Sequence, residues 1–435
     1  MALAPLAAAE RIRGIDLARG IALLGILFVN VRFFFAPLGF AMRTDVALDG
    51  SARGTTDALA WSLTEAFFTY KCISLFSMLF GFGLAMQAAR ARERGVSPWP
   101  SGLRRLGLLL AVGVVHWSLV WYGDILTSYA FLGVVVLACT GLSTNALRWC
   151  IVPVAGVVAL VAVVGAGLYG LGAAVEAQAP AEAEIAASEL TERGFDAMLA
   201  AQFNPYDPAW LEAERAAFRE GPFTDALLFR CVNFAFGTVA AIFSYGWQSL
   251  LMMLCGVYAF KAGLFGPGGS EVRRRIAMPA LAIGLALSVG SVLPAWLLGF
   301  ESVAAQVVHV ALLSLGAMVL PVAYAAIILE WGPRLPAWIA TPVERAGRMS
   351  FTVYLLESVA CTALASWWGL AWFGSLDDAQ AAVVALCVGL ALVIFATAWL
   401  AFLPIGPFEW AWRRVTYGRG AAGLRRAGSA CSPCP

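Results

Sequence analysis

The sequence predicts an all-α polytopic membrane protein: a bundle of about ten transmembrane helices with both termini in the cytoplasm. Three observations lead there. Of its 435 residues, 61% are hydrophobic and only 13% charged, where a soluble domain carries roughly 25% charged residues. The apolar residues fall in repeated blocks of about 20, the length that crosses roughly 30 Å of hydrocarbon. Basic residues also crowd into every second loop, as cytoplasmic loops require.

The expected spans run at roughly 14–35, 60–88, 103–122, 125–142, 150–174, 230–260, 275–298, 303–329, 349–370 and 380–403. Spans three and four are joined by a tight turn at Tyr122–Asp124. The block at 225–265 reads as one tilted helix, or as a short interfacial helix followed by a span. Arg11 and Arg13 precede the first span. Arg90, Arg92, Arg94, Arg104 and Arg105 separate the second and third, and Arg148 the fourth and fifth. Lys261 and Arg273–Arg275 fall between the sixth and seventh, Arg334, Arg345 and Arg348 after the eighth, and Arg413, Arg414, Arg419, Arg425 and Arg426 after the tenth. The intervening loops are poorer in basic residues or mix the signs, as Asp45, Asp49 and Asp57 do with Arg43 and Arg53. That alternation predicts an even number of spans.

Residues 1–415 are expected to form one membrane domain. Its large outer loop, 176–224, carries Ala, Glu and Arg at helical spacing, with a turn at NPYDP (Asn204–Pro208), so surface helices are predicted there. The loop is either a solvated spacer or a lid over an outward-facing site. Residues 416–435 read as a disordered cytoplasmic tail, and its Cys431 and Cys434 as part of that tail and not a metal site. Cys72, Cys139, Cys255, Cys361 and Cys387 fall singly in spans, where small apolar packing accounts for them. The opening MALAPLAAAERIRG lacks the pattern of a signal peptide. A net charge of +2 carries no nucleic-acid signature.

Chemistry concentrates between Arg104 and Tyr129. His116, one of two histidines in the chain, sits inside an apolar span, where an ionisable group points to function. It is either a satisfied core histidine or a general base, and Asp124, eight residues on, is placed to orient its ring. Asn30 follows Arg19 by eleven residues, and His116 follows Arg105 by eleven in a span of the same direction. Both should therefore reach the same depth, about 16 Å from their arginines, and face one pocket. Asp16 and Arg19, three apart, share a helix face. Lys71, near mid-depth in span two, is expected either to pair with Glu357 of span nine or to bind an anionic donor group such as a phosphate. His116, His309 and Asp124 are the residues for a metal site, but no H-x-x-x-H or H-E-x-x-H spacing supports one, so none is expected.

Five ordered blocks carry a resemblance: DLARGIALLGILFVN (Asp16–Asn30), SLFSMLFGFG (Ser74–Gly83), HW…YGDIL…Y (His116–Tyr129), GRMSFTVYLLES (Gly347–Ser358) and GPFEWAWRR (Gly406–Arg414). Together they resemble the YeiB-type membrane proteins, the family known as domain of unknown function 418. That family's fold is similar to a wider group of transmembrane acyltransferases, including acyltransferase family 3 and heparan-α-glucosaminide N-acetyltransferase. In that group an acyl group passes from cytoplasmic acyl-CoA to an acceptor across the membrane.

Acyltransferase family 3 members carry a histidine eleven residues after the arginine of their first-span Arg-Gly pair, where this chain has Asn30. The role of base does not transfer to an amide, and His116, at the same expected depth, stands in for it. The resemblance thus implies a multi-pass protein of the bacterial cytoplasmic membrane that acylates an outward-facing hydroxyl or amine. The acceptor would be a small molecule, a glycan or a lipid. His116 would be general base, Asp124 its orienter and Asn30 a donor to the developing oxyanion. Arg19, Lys71 and Arg105 would hold the phosphates of acyl-CoA, a donor substrate and not a permanent cofactor. The lipid bilayer is the one partner implied directly. A transporter or flippase of a small metabolite or lipid, and a non-catalytic membrane partner protein, are the rival readings.

Overall fold

The computed structural model describes residues 12–176, 193–243 and 245–417. Arg11, residues 177–192 of the outer loop, and the expected tail from 418 on, with Cys431 and Cys434, lie outside the described residues. Among those described there is no strand, only an isolated bridge between Val46 and Ala52. Eight helical segments are long and apolar enough to cross a membrane, and two shorter apolar helices, Leu126–Cys139 and Ser350–Ala365, accompany them. The chain is an all-α polytopic membrane bundle.

The helices are α1 (Arg13–Phe35), α2 (Leu38–Met42), α3 (Thr55–Phe67), α4 (Lys71–Glu93), α5 (Trp99–Leu119), α6 (Leu126–Cys139), α7 (Thr144–Glu176), α8 (Gly194–Ala200) and α9 (Pro208–Arg219). They continue with α10 (Phe223–Phe243), α11 (Tyr245–Lys261), α12 (Ser270–Leu298), α13 (Val303–Trp331), α14 (Ala337–Arg348), α15 (Ser350–Ala365), α16 (Asp378–Phe402) and α17 (Pro407–Tyr417).

Two expected spans are broken. The run read as 60–88 is α3 followed by α4, interrupted where Tyr70 takes a left-handed backbone with φ of 60°, a conformation that ends a helix. The break exposes the last carbonyls of α3, and the Lys71 ammonium donates to the Glu65 carbonyl at 2.7 Å, as a cation at a helix C-terminus should. The block at 225–265 is likewise two helices, α10 and α11. It is neither one tilted helix nor a short interfacial one followed by a span.

Close packing follows from small residues. A Cβ on Gly81 would lie 2.0 Å from the Met253 carbonyl oxygen, and one on Gly256 1.9 Å from that of Met78. The α4 and α11 backbones therefore touch, the way membrane helices associate when lipid offers no hydrophobic drive. The faces of α7, α12 and α16 turned away from the bundle expose large apolar residues such as Leu160, Leu297 and Leu390, the surface a lipid environment favours. Charge is instead gathered inside. Arg32 of α1 bonds Glu65 of α3 at 2.6 Å, Arg53 bonds Asp378 of α16 at 2.8 Å, and His309 of α13 approaches Glu65 at 3.8 Å.

The described part of the outer loop packs as structure. Asp207 caps α9 by accepting from the Ala209 amide, with Pro208 at the first helical position, so the NPYDP turn separates α8 from α9. Met198, Trp210 and Phe218 join Phe34, Trp121 and Phe373 in one buried cluster. Glu214 anchors α9, accepting from the Leu38 amide at 3.0 Å, Trp210 Nε1 at 3.3 Å and Asn233 Nδ2 at 2.6 Å.

Candidate functional site: a cavity below a buried histidine

One cavity holds about 350 Å³, within the range of small-molecule sites. It opens at the end of the bundle that the basic loops mark as cytoplasmic. On α1 its wall is Asp16, Arg19, Leu23 and Ile26, a stripe at helical spacing. Arg105 and Leu109 of α5, Tyr129 of α6, Arg348 beside α15, Phe351 and Tyr354 of α15, and Glu409 and Arg413 of α17 complete it. Arg19 bonds Asp16 at 3.2 Å, and the Arg105 guanidinium sits 5.8 Å over the Phe80 ring. Basic groups gather at the mouth and apolar and aromatic ones toward the deep end.

His116 lies just beyond that deep end. Its ring centroid is 5.2 Å from that of Tyr354, which lines the cavity. The side chain is buried, Nδ1 is 3.0 Å from Asp124 Oδ1, and Nε2 has no hydrogen-bond partner among the described residues. Asp124 Oδ2 in turn accepts from the Thr127 amide at 2.8 Å at the start of α6. The expected return of the tight turn is what brings Asp124 back over α5. With the proton on Nδ1, donated to Asp124, the Nε2 lone pair is left open for a reacting hydrogen. Tyr129, at the cavity wall, shares a 2.6 Å hydrogen bond with Ser77 of α4.

Asn30 continues the α1 stripe one turn past Ile26, outside the cavity wall. Trp121 Nε1 and Tyr122 Oη both donate to the Phe33 carbonyl at 3.2 Å, which levels Phe33 with the end of α5. Asn30 and His116 then lie three and five residues below that level, within about one helical turn of each other in depth. No hydrogen bond joins them.

Arg19 and Arg105 line the cavity; Lys71 does not. Lys71 is wholly buried, turned onto the end of α3, and makes no ion pair with Glu357. Glu357 is buried, and its Oε1 has no partner among the described residues. His309 is far from His116 in its contacts: its Nδ1 lies 3.1 Å from the Ser291 carbonyl and its ring against Trp61. Among the described residues no three His, Cys, Asp or Glu side chains converge as a metal site would need. Tyr354, Arg348, Glu409 and Arg413 escaped the sequence reading as site residues, although all four stand in the two C-terminal blocks. Glu409 accepts from the Phe351 and Thr352 amides at 2.9 and 3.0 Å, so the GPFEWAWRR block caps the N-terminus of α15 from another helix.

Residues 259–419 match the family model described as protein of unknown function (DUF418). The chain is 28% identical to the uncharacterized protein YeiB of Escherichia coli over 97% of its own length and 99% of that protein. It is also 28% identical to the uncharacterized protein YxaH of Bacillus subtilis over 95% and 96%, respectively. A 39.9 kDa protein encoded in an amylase 3′ region of Bacillus acidopullulyticus is 25% identical over similar shares. The similarity thus runs from α1 through α17, across the cavity and the His116–Asp124 pair, and over nearly its whole length the chain is similar to YeiB-like membrane proteins, with residues 259–419 matching the DUF418 model.

Proposed function

We propose that the chain is an acyltransferase of the bacterial cytoplasmic membrane, passing an acyl group from cytoplasmic acyl-CoA to an outward-facing hydroxyl or amine. The observation that carries this is the alignment of one cavity, its arginines at the cytoplasmic mouth and its deep end against the ring of a buried histidine. Phosphates would be held at Arg19, Arg105, Arg348 and Arg413, where guanidinium forks match their geometry. The thioester arm would run along Leu109 and Phe351 toward Tyr354. Lys71, engaged at the α3–α4 break, has no part in donor binding.

At the deep end the acceptor gives its proton to His116 Nε2 as it attacks the thioester carbonyl. A C–O or C–N bond forms, the C–S bond breaks, and the imidazolium returns the proton to the leaving thiolate. Asp124 fixes the tautomer and stabilises the charged ring. Asn30 is assigned as a hydrogen-bond donor to the oxyanion.

Calorimetry of acetyl-CoA and longer acyl-CoA binding to the purified protein tests this, with Arg105→Ala and His116→Ala beside the wild type. Arg105→Ala should weaken binding about tenfold or more, the value of one charge-assisted contact. His116→Ala should bind normally and lose transfer by roughly 10²–10⁴. A wild type that binds no acyl-CoA sinks the proposal, and substrate uptake into loaded vesicles would then favour a transporter.

A further inference from the structure

A second cavity lies at the opposite end of the bundle from the basic loops. It holds only about 10 Å³, and Trp121, Phe218, Arg230, Thr362, Ser366 and Phe373 are among its walls. Arg230, on α10, is 3% exposed, and its Nε and Nη1 have no hydrogen-bond partner among the described residues. No carboxylate pairs with it among the described residues. The guanidinium rests instead on the rings of Phe218 and Phe223, at 5.6 and 5.8 Å. Ser366 is 2% exposed, and its Oγ is also without a partner among the described residues.

Arginine cannot shed its proton to escape burial, and a buried charge with no counter-charge is strongly unfavourable. The other buried arginines obey that rule, Arg32 with Glu65 and Arg273 with Glu330. Arg230 has neither an anion nor, at Nε and Nη1, a hydrogen-bond acceptor among the described residues. The aromatic donors nearby are already committed: Trp121 and Tyr122 both bond the Phe33 carbonyl. Among the described residues, the unpartnered polar groups on the cavity's walls are then one guanidinium and one hydroxyl.

We propose that Arg230 and Ser366 form an extracytoplasmic site for a single carboxylate. The cavity has room for about one water-sized group, so it seats one carboxylate oxygen, held between the guanidinium and the Ser366 hydroxyl, and the rest of the ligand lies outside it. The site lies close to the histidine. Thr362 Oγ donates to the Val120 carbonyl at 3.4 Å, and Val120 is one helical turn, about 6 Å, from His116. If the acyl-transfer reading holds, on which this step alone rests, the carboxylate belongs to the acceptor. The acceptor is then an anionic hydroxy or amino compound whose nucleophile sits a few bonds from its carboxylate.

Thermal unfolding of the purified full chain in detergent, titrated with sodium formate, tests the site without any acyl donor. Ionic strength is held constant with sodium isethionate, too bulky for the cavity, and formamide serves as the neutral analogue. Formate should raise the midpoint saturably and formamide should not. The shift should vanish in Arg230→Gln and need about tenfold more formate in Ser366→Ala, which keeps the guanidinium. A formate response no larger than isethionate's, or one unchanged in both variants, overturns the proposal. Should Arg230→Gln not fold, Ser366→Ala and Arg230→Lys carry the same comparison. Glycolate that fails to compete with formate overturns the acceptor assignment and leaves the anion site. Because acyl-CoA binding is measured separately, failure here and failure of the transferase reading are distinct results.

Discussion

The Asp124 carboxylate rests directly on Gly113. A Cβ at position 113 would lie 2.8 Å from Asp124 Oδ2 and 2.6 Å from Thr127 Oγ1, closer than carbon and oxygen pack. Gly113 is one turn before His116 on α5, so the missing side chain is what lets the start of α6 close over the imidazole. The hydrogen-bonded pair inside the membrane thus depends on an absence of volume one turn below it.

Gly113→Ala should therefore cost about 1–3 kcal/mol by overpacking and push Asp124 away from His116 Nδ1. Two histidines in the chain make the imidazole nitrogen spectrum simple to assign. The His116 signal is expected to lose its fixed Nδ1–H tautomer while that of His309 stays unchanged. An unaltered His116 signal would mean that the pair does not need the close approach.

Glu214 predicts a pH dependence. Burial pushes its carboxyl up to about 7, against the opposing pull of the donors from Leu38, Asn233 and Trp210. A raised pKa means the folded protein binds this proton more tightly than the unfolded chain. The penalty is absent below about pH 4.5, grows as pH rises, and is complete above about pH 7, where it amounts to about 3 kcal/mol. Docking of α9 onto the bundle should loosen over that window, seen as faster proteolysis of 193–219 at pH 8 than at pH 5. Glu214→Gln should flatten the profile. Parallel profiles for the two proteins would show that Glu214 does not carry the effect.

Glu409 holds two parts of the cavity wall together. Its carboxylate accepts from the Phe351 and Thr352 amides, and its helix carries Arg413. Removing a cap of this kind costs about 1–2 kcal/mol. Glu409→Ala should lower the unfolding midpoint and also weaken acyl-CoA binding, since α17 loses its fixed position at the mouth. A lower midpoint with unchanged donor affinity would separate Arg413 from the donor site.

The bundle was legible because composition and basic loops report on lipid and topology without any backbone detail. The His116–Asp124 contact was legible for a local reason: eight residues and a tight turn leave few ways to separate the pair. Hydropathy cannot see a helix break, so the left-handed Tyr70 and the α10–α11 junction were hidden inside apolar runs. The amphipathic α14 and α17 were hidden by the opposite fault, being too short and polar to read as spans. Arg230 left one signal, a lone arginine seven residues into an apolar helix. Its meaning came only from neighbours 130 or more residues away, Thr362 and Ser366.

Lys71 is the sharpest test of where the donor binds. On an unbroken helix it would sit at mid-depth beside Glu357 or a phosphate, and the break at Tyr70 instead turns it onto the Glu65 carbonyl. Lys71→Met removes that bond and leaves the end of α3 buried and unsatisfied, which should cost about 1–3 kcal/mol. The unfolding midpoint should drop while acyl-CoA affinity stays at the wild-type value, the reverse of Arg105→Ala. A variant with normal stability and weakened donor binding would place Lys71 on the donor's path and move the proposed channel from the α1–α5–α15 wall toward α3.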